Sequence, residues 1–125
     1  MSTSNKDRAI KFLELASGGH VEEAYSQFVS QTFIHHNAWC DAGRQTLKQG
    51  MMDAAAACPH QTIRIHQVLE EGDRVMTHSL VKPSPEHQGI VVVHILRFSE
   101  GMIVELWDVV MVVPEHRAGD VDGLF

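Results

Sequence analysis

The chain predicts an α+β fold, with helices first and an antiparallel meander after them. Three observations carry this reading. Up to Ala57 the apolar residues recur at helical spacing, and from Thr62 onward they alternate as they do in strands. Near the end, GIVVVHILRF (Gly89–Phe98), the turn SEGM and IVELWDVVMVVPE (Ile103–Glu115) read as a hairpin. That hairpin holds one histidine, His94, and one aspartate, Asp108, inside otherwise apolar strands.

The elements follow in order. Asn5-Lys6-Asp7 caps a first helix over Lys6–Ala16, with Ile10, Phe12, Leu13 and Leu15 as its buried stripe. Ser17-Gly18-Gly19 stops it. A second helix, His20–Val29, buries Val21, Ala24, Tyr25 and Phe28. The segment TFIHHNAWCDAG (Thr32–Gly43) reads as irregular, with Asn37 and Asp41-Ala42-Gly43 as turn chemistry. A third helix, Arg44–Ala57, contains an alanine run and ends before Pro59. TIRIHQVLEE (Thr62–Glu71) is a strand with Ile63, Ile65 and Leu69 on one face, and Arg64, His66 and Glu70 on the other. Gly72-Asp73 turns the chain into a second strand, DRVMTHSLVK, which ends at Lys82-Pro83-Ser84-Pro85. The tail after Pro114 is polar until Leu124-Phe125; it is either loose or docked on another subunit.

The hairpin register decides what the polar pair can do. If Ser99 opposes Ile103, Arg97 faces Glu105 and His94 faces Asp108. Arg97 opposite Glu105 is a favourable cross-strand pair, which supports this register. One face then reads Val92, His94, Leu96 and Phe98 beside Val104, Leu106, Asp108 and Val110. An apolar wall with one polar pair in it is the lining of a small-molecule pocket. A slip of one residue would set Trp107 opposite His94 and send Asp108 to the other face.

Composition excludes several functions. The chain of 125 residues is long enough for one domain, 1–125, with a core over 6–115 and a polar tail over 116–125. Its net charge of −6, without a basic cluster, argues against nucleic acid and anionic membranes as partners. The longest apolar stretch, Val109–Val113, is far too short to span a bilayer. The polar N-terminus does not read as a signal peptide, and Cys40 and Cys58 form no CxxC motif, so a reduced cytoplasmic location is expected. No nucleotide-binding loop is present and no cofactor is implied.

The phrases FIHHN (Phe33–Asn37), GDRVMTHSLVKP (Gly72–Pro83) and RFSEGMIVELWDVV (Arg97–Val110) resemble the SnoaL-like branch of the nuclear transport factor 2-like superfamily. The last is close to that branch's R-F-x-x-G-K-I-x-E-x-W-D signature, with Met102 in the lysine position. The resemblance covers about Lys6 to Glu115. It implies a cystatin-like cone or α+β barrel, in which a curved, mostly antiparallel sheet packs on three N-terminal helices and usually dimerises through the sheet. Members include polyketide cyclases, ketosteroid isomerase, limonene epoxide hydrolase, dehydratases and non-enzymes, so the fold does not fix the function. In ketosteroid isomerase-like members the position three before the Arg-Phe pair carries an acid that points into the pocket. Here it is His94. The resemblance also turns Asp108 inward and brings His36 and His78 towards the pocket.

His36, His78, His94 and Asp108 are therefore the candidate polar cluster. Trp39, Val92, Leu96, Leu106 and Val110 are the candidate lining. Two chemistries use such a cluster. In the first, Asp108 orients or charge-stabilises His94 as the base or acid beside a carbonyl, while His78 or His36 hydrogen-bonds the enolate oxygen. That fits aldol-type cyclisation, isomerisation or dehydration of a small apolar, carbonyl-containing molecule. In the second, His36, His78 and His94 hold a metal, although their spacing is not a local metal motif. A third reading is a non-catalytic ligand-binding or dimerisation module, because a lone apolar-flanked histidine is more often a satisfied core residue. On the same register Val91, Val93, Ile95, Trp107, Val109 and Met111 form an outer face too apolar for water, which predicts a homodimer. Of the adjacent pair, His36 is expected inside and His35 outside, since neighbours on an extended segment point apart.

Overall fold

The computed structural model describes residues 3–36, 43–115, 119 and 121–125. The first helix, α1 (Asn5–Ser17), is capped by Ser4, whose hydroxyl accepts from the Asp7 N–H at 3.1 Å. The cap is one residue earlier than the expected Asn5-Lys6-Asp7. The buried stripe is Ala9, Phe12, Leu13 and Ala16, the i, i+3, i+4, i+7 set, and Ile10 and Leu15 lie at its margins. Gly19, at φ 88°, ends the helix in a Schellman motif: its N–H reaches the Ala16 carbonyl and the His20 N–H reaches that of Leu15. α2 (Val21–Phe28) buries Val21, Ala24 and Tyr25.

The segment read as irregular begins with a strand, β1 (Val29–His36). After it come α3 (Arg44–Ala57), β2 (Thr62–Glu71), β3 (Arg74–Lys82), β4 (Ile90–Ser99) and β5 (Met102–Val112). A short 3₁₀ turn spans Val121–Leu124. The sheet order is β1-β5-β4-β3-β2. β1 runs parallel to β5 and the other three pairings are antiparallel. With β1 and β2 as its two edges, the sheet is open, so the barrel expectation gives way to a curved sheet backed by three helices.

The hairpin keeps the predicted pairs Arg97↔Glu105 and His94↔Asp108. Its tip differs. Ser99 pairs with Met102, not Ile103, across a two-residue turn with Glu100 and Gly101 at φ 52° and 79°. Two consecutive left-handed residues match the twist of the flanking strands, and glycine suits the second. A bulge then leaves Val104 of β5 unpaired, opposite the step from Arg97 to Phe98. As a result Ile103, not Val104, faces the core and is fully buried. A second bulge, at His66 in β2, does the same to the face assignment there: Val68 pairs with Thr77 on the inner face, and Leu69 turns outward, 57% exposed.

The core lies between the helices and the inner sheet face. Phe12, Tyr25 and Phe33 form an aromatic row with centroid separations of 5.8 and 6.5 Å. Val75, Leu96, Phe98, Ile103 and Leu106 meet it from the sheet. The end of the tail docks on its own sheet, where Phe125 stacks on His66 at 3.9 Å and lies 4.7 Å from His78. Among the described residues, no helix is long and apolar enough to cross a membrane.

Candidate active site

A cavity of about 250 Å³ lies between α1, α3 and the inner face of the sheet. Its volume falls just below the roughly 300–1,000 Å³ usual for small-molecule sites. Small side chains make the room: Ala16 on α1 and Ala54 on α3 stand where a leucine would fill the gap. Val92 and Val110 line it, as expected, and Ile63 and Ile90 extend the apolar wall. Leu96 and Leu106 do not. They are 0% and 1% exposed and pack into the core beneath the helices, because that end of the hairpin is filled by Phe12, Tyr25 and Phe33. Trp39 lies outside the described residues.

Among the described residues, four polar side chains reach the lining: Ser17, Gln61, His94 and Asp108. His94 and Asp108 are directly paired on adjacent strands, which places their Cβ atoms about 4.5–5.5 Å apart. His94 is buried and its Nδ1 makes no hydrogen bond. Burial pushes its pKa down to about 4, while the Asp108 carboxylate pulls the other way. The imidazole is therefore neutral near pH 7. Gln61 gives one amide hydrogen to the Ser17 carbonyl at 3.3 Å and keeps a second.

His36 and His78 are on the other face of the sheet. On β1, Phe33 and His35 point inward, so His36 points outward; it is bonded to Glu105 at 2.7 Å and stacked on Trp107. Glu105 also accepts from Arg97 Nε at 2.9 Å, and these two hydrogen bonds hold its carboxyl below the ordinary value. On β3, Val75, Thr77 and Ser79 take the inward positions, leaving His78 outward beside Gln67 at 2.8 Å. His36, His78 and His94 thus do not converge. No group of three metal-ligating side chains is found among the described residues.

The inward histidine of β1 is His35, 1% exposed, with Nε2 4.0 Å from Asp108 Oδ2. Phe33 could have revealed it. In a strand the large apolar residue marks the inner face, and His35 is two positions on. Thr77 and Ser79, not among the candidates read from the sequence, also point inward: on β3 the small polar residues are the buried ones. Thr77 pairs with His94 and Ser79 with Val92, and neither hydroxyl has a hydrogen-bond partner.

Three helices against a curved five-stranded sheet define a cystatin-like domain, here with a polar pair in an apolar cup. The family model for the SnoaL-like domain matches residues 9–106, and the chain belongs to that family. Solved structures agree on the fold. An uncharacterised cystatin-fold protein of Novosphingobium aromaticivorans is similar over 86% of this chain and 99% of its own, with TM-score 0.74 and 18% identity. AclR of Streptomyces galilaeus, described as a putative hydroxylase, matches with TM-score 0.75 and 19% identity, covering 88% and 80%. A putative polyketide cyclase of Bacillus cereus matches with TM-score 0.71 and 21% identity, covering 83% and 72%. Comparison with curated protein sequences finds no match.

Proposed function

We propose that the cup binds a small, largely apolar carbonyl compound and that His94 and Asp108 move a proton beside its carbonyl group. The observation that carries this is the pairing of a neutral imidazole and a carboxylate on one wall of an apolar cavity. His94 takes the proton from the carbon next to the carbonyl. The imidazolium that results is compensated by the Asp108 carboxylate opposite, and the electron pair passes to the carbonyl oxygen. The spare amide hydrogen of Gln61 is the donor available to that oxygen, the part that His36 and His78 cannot play from the outer face. Returning the proton to a different carbon is isomerisation. Attack of the enolate on a second carbonyl is aldol cyclisation, and loss of a β-hydroxyl is dehydration. The similarity to a putative polyketide cyclase is in keeping with this chemistry.

The test is exchange of the α-hydrogens of β-tetralone, an apolar bicyclic ketone, in deuterated water. The wild type should accelerate exchange, and Asp108→Asn should slow it by about 10²–10⁴-fold, the usual worth of general acid–base help. Turnover unchanged in that variant would remove Asp108 from the mechanism.

We further infer a homodimer through the outer sheet face. Leu69, Met76, Val109 and Met111 are 38–65% exposed there, a large apolar area for water to cover. Val91, expected on this surface, is already buried, and Val93, Ile95 and Trp107 are half-buried.

A further inference from the structure

Asp108 has a histidine on each side. β5 lies between β1 and β4, so on the inner face the row reads His35, Asp108, His94 across three adjacent strands. His35 pairs with Leu106, which makes it the diagonal neighbour of Asp108, within reach of a long side chain. Its Nε2 stands 4.0 Å from Asp108 Oδ2, about 0.5–1 Å beyond a hydrogen bond. Neither ring nitrogen of this buried imidazole has another hydrogen-bond partner. At least one of the two always carries a hydrogen, and a buried donor left unmatched is costly. The Phe33 ring lies parallel to the imidazole, 10° off at a centroid distance of 6.4 Å.

We propose that His35 is a positioning residue, whose Nε2–H donates to Asp108 and holds the carboxylate against His94, so that the working unit is a row of three side chains and not a dyad. This rests on the proton-transfer reading above for its catalytic consequence, but not for its geometry. Its logic is that of an orienting group behind a reacting one. Asp108 lines the cup with 13% of its side chain exposed, and a donor behind it favours the orientation in which it compensates the His94 imidazolium. His94 and Asp108 are the titratable side chains among the described lining residues. Leu13 and Ala16 of α1, and Met51 and Ala54 of α3, face them without charge. The hydroxyl that faces His94 from β3 is that of Thr77.

Heteronuclear NMR of the imidazole nitrogens in the full chain, near neutral pH, reads the geometry without a substrate. His35 is expected as the Nε2–H tautomer, with nitrogen shifts that move in Asp108→Asn. The His94 nitrogens are expected to move in His35→Leu and to return in His35→Gln, whose amide nitrogen reaches the Nε2 position. With β-tetralone, kcat should fall on the order of 10–100-fold in His35→Leu, typical for loss of an orienting partner. KM should stay within about twofold. His35→Gln should recover kcat, and His35→Asn, whose amide reaches only the Nδ1 position, should not. A wild-type His35 protonated on Nδ1, or His94 signals indifferent to His35→Leu, would overturn the proposal. If His35→Leu does not fold, identical kcat and identical His94 spectra in the Gln and Asn variants would overturn it equally. Full turnover in Asp108→Asn would instead sink the proton-transfer reading alone, leaving the His35–Asp108 linkage standing on its NMR evidence.

Discussion

Protonating His94 should destabilise the fold over a defined pH range, and the amount follows from its burial. In the unfolded chain the imidazole titrates at the ordinary 6.5, and in the fold at about 4. Between these values the unfolded chain binds a proton that the native protein refuses. Stability therefore rises with pH across this window and is lost as pH falls through it. The side chain is buried, so the full shift applies. At about 1.4 kcal/mol per pH unit, the loss between pH 7 and pH 4 is about 3 kcal/mol. That is a large part of the roughly 5–15 kcal/mol available to a domain. Urea unfolding of the wild type and of His94→Gln, at several pH values from 7 to 4.5, isolates the effect, because carboxylates and the other histidines cancel in the difference. The wild type should lose about 2–3 kcal/mol more than the variant over that range. Asp108→Asn adds a check on sign. It removes the group that raises the His94 pKa, so the folded value falls further and the pH-dependent loss, if anything, extends to lower pH. Parallel curves for the wild type and His94→Gln would refute the reasoning, because a solvated or proton-accepting His94 would produce them.

Other perturbations test the cavity, the turn and the outer face. Ala54→Phe should fill the space beside His94 and abolish β-tetralone exchange while leaving the unfolding midpoint nearly unchanged; binding by calorimetry should disappear with the activity. Gly101→Ala should cost about 1–2 kcal/mol in urea unfolding. Its φ of 79° suits glycine, and an added Cβ would lie 3.3 Å from the Arg8 guanidinium carbon. Val109→Lys with Met111→Lys should shift the light-scattering mass of a dimer to that of a monomer, because both side chains are exposed on the outer face. A wild type that is monomeric at micromolar concentration would remove the dimer altogether.

Much of the fold can be read from local patterns, and the misreadings have a common cause. The three helices, the meander and the His94–Asp108 pairing follow from apolar spacing and from one cross-strand charge pair, Arg97 with Glu105. Strand parity fails wherever a residue is inserted. The bulge after Arg97 exchanges Val104 for Ile103, and the bulge at His66 exchanges Leu69 for Val68. Nothing local in the sequence marks either one. β1 is harder still, because its partner is β5, about seventy residues away, and its parallel pairing leaves no hairpin turn to betray it. Without β1, the inward choice between His35 and His36 rested on resemblance, and it went to the wrong neighbour. On β3, the resemblance turned His78 inward, whereas its neighbours Thr77 and Ser79 hold the buried positions.

A neutral, buried His94 poses a difficulty for catalysis that the surrounding residues answer. A base with a pKa near 4 is weak, and it gains strength only if its protonated form is stabilised at the moment of transfer. Water would do this, but the apolar walls that bind a ketone also keep water out. The carboxylate opposite supplies a fixed counter-charge in its place, and its value depends on not having to reorganise when the proton arrives. Asp108 sits at the edge of solvent, with 13% of its side chain exposed, so the counter-charge depends on how the carboxylate is oriented. His35, a buried imidazole on β1 with Nε2 4.0 Å away, stands where it helps to fix that orientation. The same burial that makes His94 a poor base in the empty cup thus makes the catalytic gain from Asp108 large, and makes that gain depend on a residue that never touches the substrate.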